Sequence, residues 1–136
     1  MAKVLVVDDD RIIADMYRLA LTRAGHNVAV ANDGAAGLQV ATTDLPDIVF
    51  LDVRMPKMNG IEVLQNLMAG DATRNLPVVM LSNYDEPSLV RQCLALGAKK
   101  YLVKALVSLR KALKPPRSPS DPRPIHLGWR LHRVGR

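Results

Sequence analysis

At 136 residues, 49% hydrophobic and 24% charged, the chain is long enough for one domain with a buried core, and no apolar run nears the ~18–20 residues that cross a bilayer. Its one cysteine, Cys93, excludes an internal disulfide and any cysteine-rich metal site, and suits a reducing cytoplasm. The net charge of +6 is uneven: residues 115–136 hold five arginines against one aspartate, so the basic character belongs largely to the end of the chain.

Lys3–Val7 is a branched, apolar run of strand length, and Asp8-Asp9-Asp10 cut it off too early for a secretory signal. Residues 11–24 carry Ile12, Ile13, Met16, Leu19, Ala20 and Ala24 at spacings of three and four, which predicts an amphipathic helix. Gly25 follows as the glycine that commonly lies just past a helix end. Asn27–Ala31 is a second strand candidate, and Asn32-Asp33-Gly34 turns into a helix over Gly34–Thr43. Ile48–Leu51 is a third apolar run, and it ends at Asp52. Gly60–Met68 reads as helix, Pro77–Leu81 as a fourth strand, and Ser88–Leu96 as a helix opened by Pro87. Lys100–Val103 is the fifth strand candidate. Strands that are apolar throughout, alternating with helices, predict a doubly wound α/β fold whose parallel sheet is covered on both faces.

Beyond Lys104 the pattern weakens. Val107–Lys114 offers about two helical turns before Pro115-Pro116, so the last helix is expected to be shortened. Five of the nine prolines fall between Pro115 and Pro124. Residues 1–114 therefore read as the domain, and residues 115–136 as a Pro/Arg-rich tail expected to be poorly ordered. Ile125, Leu127, Trp129, Leu131 and Val134 offer the alternative that the tail covers the face left open by a short helix.

In such sheets the functional loops lie at the carboxyl ends of the strands. Asp8, Asp9 and Asp10 follow the first strand and Asp52 ends the third. Carboxylates gathered there repel one another unless a cation intervenes, and hard oxygen ligands suit Mg²⁺ better than Zn²⁺. Asp10 is better read as the cap of the following helix. Ser82, Tyr101 and Lys104 stand at or near the ends of the fourth and fifth strands. A hydroxyl and an ammonium converging on a metal-bound carboxylate suit phosphoryl transfer, where catalysis is mostly positioning and charge neutralisation.

The pieces V-L-V-V-D-D-D, V-F-L-D-V-R-M-P-K-M-N-G, V-V-M-L-S and G-A-K-K-Y-L-V-K, in that order, resemble the receiver domains of two-component response regulators. The likeness is to single-domain, chemotaxis-regulator-like members and runs over roughly residues 2–105. It implies a five-stranded sheet in the flavodoxin-like order 2-1-3-4-5 and a phosphoprotein that catalyses only its own phosphorylation and dephosphorylation. It further implies that Asp8 and Asp9 hold Mg²⁺ together with Asp52 and the backbone carbonyl of Arg54. Asp52 would be the nucleophile that takes a phosphoryl group from a histidine kinase or phosphotransfer protein. Ser82 and Lys104 would bind the phosphoryl oxygens. Tyr101 would be an aromatic switch that turns inward as Ser82 moves, and Met55-Pro56 and Gly60 would shape the loop after Asp52. The readout would be a downstream protein, bound at the fourth helix, fifth strand and fifth helix.

Several positions depart from the family pattern. Lys104 is followed by Ala105 where the family has proline, often after a cis bond that costs ~2.5–4 kcal/mol before any other residue. Arg54, Asn83 and Tyr84 are bulky beside the water path, which is expected to lengthen the phosphorylated lifetime. A shortened last helix would expose apolar area and favour self-association, as in a homodimer, or a marginal fold. Two alternatives stand beside the switch: a receiver-like scaffold no longer controlled by phosphorylation, and a flavodoxin-like ligand-binding module. The second needs a Gly/Ser/Thr-rich phosphate loop after the first strand, where this chain is acidic. The tail's Arg117, Arg123, Arg130, Arg133 and Arg136 with Trp129 are permissive for nucleic acid, but no reader motif accompanies them and none is expected to bind it. His26, His126 and His132 read as isolated surface histidines.

Overall fold

The computed structural model describes residues 1–82 and 86–103, with the backbone alone of Arg130–Leu131. In chain order the elements are β1 (Lys3–Val7), α1 (Arg11–Arg23), β2 (Asn27–Ala31), α2 (Gly34–Asp44), β3 (Ile48–Asp52), α3 (Gly60–Ala69), β4 (Val78–Ser82), α4 (Pro87–Ala95), β5 (Lys100–Val103) and β6 (Arg130–Leu131). The sheet order is β2-β1-β3-β4-β5-β6. Its first five strands are parallel, in the doubly wound order that the sequence implies. β6 is additional: it pairs antiparallel with β5 through Leu102↔Leu131 and Val103↔Arg130, so two residues of the C-terminal segment lie along the β5 edge. Lys104, the Lys104-Ala105 step, the shortened last helix, the rest of the tail, Asn83 and Tyr84 lie outside the described residues.

Side chains of successive strand residues point to opposite faces, and here both faces are apolar. Leu5, Val7, Val49, Leu51, Val78, Met80 and Tyr101 join one core cluster with Ala41 of α2, Val63, Leu64 and Leu67 of α3, and Val90 and Cys93 of α4. Val4, Val6, Phe50, Val79, Leu81 and Leu102 join a second cluster with Tyr17 and Leu21 of α1. The unbroken apolar runs of β1, β3 and β4 follow from this double coverage. Edge strand β2 instead alternates between exposed and half-buried residues before ending at the buried Ala31.

The helices start where capping chemistry places them. Asp10, Asp33 and Asn59 each accept hydrogen bonds from first-turn amides of α1, α2 and α3, and Pro87 opens α4. Gly25 follows α1 with a φ of +93°, a left-handed conformation that glycine takes without steric cost. The face of α1, however, differs from the sequence reading. Its buried residues are Ala14, Tyr17, Ala20 and Leu21, while Ile12 is 76% exposed and Leu19 is 41% exposed. The stripe is rotated because Tyr17 and two alanines take the sheet-facing side, and small residues permit close approach there.

Leu64→Ala removes a wholly buried side chain and is expected to cost about 2–5 kcal/mol, whereas Ile12→Ala should stay within about 0.5 kcal/mol of the parent. Urea titrations of the two variants check the contrast. Burial also pushes the Cys93 thiol up from 9.0 to about 11. A raised folded value favours the native state fully below the unfolded value, and that contribution is lost as pH rises through the folded one. Stability is therefore expected to decline between about pH 9 and 11, less steeply in Cys93→Ala, as read by thermal melts across that window.

Candidate functional site

The site is set by strand register. β1 and β3 pair in parallel with Val7 opposite Leu51. The next residue of the chain is Asp8, directly after β1, in the one case and Asp52, the last residue of β3, in the other. The order reverses about β1, with β2 on one side and β3 on the other, and a crevice at such a switch point is where open α/β sheets bind ligands. β3 and β4 pair with Asp52 opposite Leu81, which brings Ser82 to the same end of the sheet.

Asp8 is fully buried, and Asp52 and Ser82 nearly so; Asp9 is exposed. One carboxylate oxygen from each of Asp8, Asp9 and Asp52 lies within 4.8 Å of the others. Three like charges this close repel, and a divalent cation relieves them. The all-oxygen, partly solvated donor set fits Mg²⁺. Local bonds hold the first of the three: the Asp10 N–H donates to Asp8 Oδ1 at 2.9 Å, and the Asn32 amide donates to the Asp8 carbonyl at 3.2 Å. Asp10 itself accepts from the Ile12 and Ile13 amides at 3.0 and 3.1 Å, which is the capping role read from the sequence.

The chain after Asp52 is held from two sides. The Val53 N–H donates to the Leu81 carbonyl at 3.0 Å, and the Gly60 N–H donates to the Val53 carbonyl at 2.8 Å. Met55 is buried in the core, and Met58 packs against it. Arg54 turns outward, its guanidinium 2.9 Å from the Glu86 carboxylate.

Tyr101 on β5 is wholly buried and faces the same cluster as Met80, its register partner. Burial raises its phenol above the ordinary range, partly offset by a side-chain hydrogen bond shared with Ser82. The Tyr101 side chain thus lies inward in this structure. Lys104 would follow directly after β5, outside the described residues.

Two residues at the site escape a reading from sequence. Tyr17 of α1 has its phenol held far above the ordinary range, first by burial and then by the negative charges of Asp8 and Asp52. Its signal was weak: a tyrosine seven residues after the capping Asp10, at the spacing of a core position. Glu86 carries no signal at all, since only the fold brings it to Arg54.

A parallel sheet with a carboxylate cluster at its switch point and a hydroxyl on the next strand defines a doubly wound α/β domain with an acidic pocket at the carboxyl ends of its strands. Residues 4–114 match the response regulator receiver domain family, and the chain belongs to it; this is a family of signalling switches, not of conventional enzymes. The chain is 39% identical over 102 residues to the alkaline phosphatase synthesis transcriptional regulatory protein PhoP of Bacillus subtilis, covering 75% of this chain and 42% of that protein. It thus spans about two-fifths of the length of the curated relatives it matches. Among solved structures, chemotaxis protein CheY4 of Vibrio cholerae superposes with a TM-score of 0.74 at 35% identity, over 78% of this chain and 88% of that one. The CheX–CheY–BeF₃–Mg²⁺ complex of Borrelia burgdorferi gives 0.72 at 37% identity, over 76% of this chain and 78% of that one. No helix among the described residues is long and apolar enough to cross a membrane.

A Cβ at Gly60 would overlap the Asp52 carbonyl oxygen and stand 2.9 Å from the Asp52 carbonyl carbon. Because both are backbone atoms of the Asp52 peptide, Gly60→Ala is expected to cost about 1–3 kcal/mol. Urea unfolding measures the loss, and an unchanged midpoint would show that α3 can retreat freely.

Proposed function

We propose that Asp52 is the phosphoryl acceptor of a signalling switch, loaded in the cytoplasm by a histidine kinase or phosphotransfer protein and read by a downstream protein. Residues 1–114 carry the switch, and residues 115–136 are its tail. The observation that carries this reading is the nearly buried Asp52 carboxylate at the end of β3, within reach of Asp8 and Asp9. In the transfer, a carboxylate oxygen of Asp52 attacks phosphorus while the bond from phosphorus to the donor breaks, and the donor leaves with that electron pair. Asp8, Asp9, Asp52 and the backbone carbonyl of Arg54 would hold Mg²⁺, which when bound supplies positive charge against the phosphoryl oxygens.

Ser82 supplies a donor at the end of the adjoining strand. Lys104 supplies a compact cation from the end of β5. Phosphorylation turns the singly charged carboxylate into an acyl phosphate of about −2, a gain of about one negative charge together with further acceptor oxygens, and the Ser82 hydroxyl then divides its bonding between that group and the Tyr101 phenol. Because Tyr101 already lies inward, the phosphoryl group re-weights an arrangement that the unmodified chain adopts rather than creating one.

The test is incubation with acetyl phosphate and Mg²⁺, followed by intact-mass spectrometry. Wild type is expected to gain one phosphoryl mass that requires Mg²⁺ and is absent from Asp52→Asn. Ser82→Ala should slow the gain about 10- to 100-fold, the scale of one hydrogen bond to a charged group. No adduct on folded wild type would favour the scaffold that phosphorylation no longer controls.

A further inference from the structure

Arg54 and Glu86 lie 32 residues apart in sequence, yet Nη2 of Arg54 stands 2.9 Å from Oε1 of Glu86. Arg54 comes two residues after Asp52, and Glu86 occupies the cap position of α4. At the equivalent positions of the other helices, Asp10, Asp33 and Asn59 bond their own first-turn amides. Glu86 makes no such bond; its carboxylate goes to Arg54 instead. The pair thereby ties the loop beyond the acceptor to the start of α4. Arg54 also lines a cleft of about 480 Å³ with Val53, Met55, Ile61 and Leu89, and Leu89 lies one helical turn beyond Glu86. Both members of the pair act electrostatically on the Tyr101 hydroxyl, with opposite sign.

We propose that the Arg54–Glu86 ion pair is a clasp on α4 that phosphorylation opens: phosphoryl oxygens on Asp52 compete with Glu86 for the Arg54 guanidinium, and the start of α4 is released. The inference rests on Asp52 being the acceptor. Guanidinium presents a planar fork of donors that matches phosphoryl oxygens, and it favours the more highly charged partner. Both side chains are about half exposed. Such pairs contribute little to global stability, so this one can exchange partners without unfolding its surroundings.

The Val90 N–H donates to the Glu86 backbone carbonyl at 3.0 Å, so hydrogen exchange at Val90, followed by NMR, reads the placement of Glu86. In unmodified protein, Glu86→Gln is expected to speed exchange at Val90 about two- to fivefold, the scale of an exposed ion pair, with an unchanged unfolding midpoint. The swapped pair, Arg54→Glu with Glu86→Arg, should restore slow exchange. Wild type treated with acetyl phosphate and Mg²⁺ should move toward the Glu86→Gln rate. Equal exchange in Glu86→Gln and wild type, or no rescue by the swap, overturns the clasp. So does an adduct confirmed by mass without any change at Val90. Absence of the adduct itself overturns the acceptor reading, and the release step with it.

Discussion

The site depends on one register. With Val7 opposite Leu51, the next residues of β1 and β3 are both aspartates, and the carboxylates meet because the backbones are hydrogen-bonded. Repulsion between them is imposed by the sheet. A slip of one residue would turn every side chain of the strand to the other face and move an aspartate into a core cluster. Two-sided burial of β1 and β3 makes such a slip prohibitive. The hydrophobic effect thus does electrostatic work, since it holds together charges that would separate in a flexible chain.

Around that register, the neighbouring elements leave Asp52 little freedom. Asp8 takes an amide hydrogen bond from Asp10, whose own side chain caps α1, so the acidic run also sets where the helix begins. On the other side, α3 begins so close to the Asp52 peptide that only glycine fits. One step further out the character of the contacts becomes mixed. Beyond Val53, Met55 stays buried in the core, while Arg54 reaches outward to an exposed, ionic contact with Glu86. A tightly held carboxylate beside an exposed ion pair to an adjoining helix suits a device in which a local charge change must be felt by that helix.

Much of this was legible in the residues. The apolar runs, the capping residues and the acidic ends of the first and third strands each have a local physical signature, and the five parallel strands follow from their alternation. The phase of α1 was not legible, because periodicity counts Ile12 and Leu19 as apolar without regard to where the sheet lies. Only the tertiary structure shows that Tyr17 belongs inside and Ile12 outside. Glu86 was invisible for a related reason, since an ion pair spanning 32 residues leaves no pattern in a linear chain. Nor does composition announce β6. Two residues that follow a proline-rich stretch carry no strand signal of their own, and their pairing is supplied by the open edge of β5.

The central place of β1 bears on how the protein is made. Within this chain β1 is synthesised before the other strands, yet it ends between β2 and β3, and its second edge is covered only when the residues from Ile48 onward are available. Until then a strand of four buried residues in five presents an unpaired apolar edge on the ribosome, the kind of segment that recruits chaperones or pairs with another chain. Acidic pocket and aggregation hazard are therefore neighbours in sequence. Asp8-Asp9-Asp10 places a block of negative charge directly after that strand, the position where charged residues limit the pairing of an exposed apolar segment.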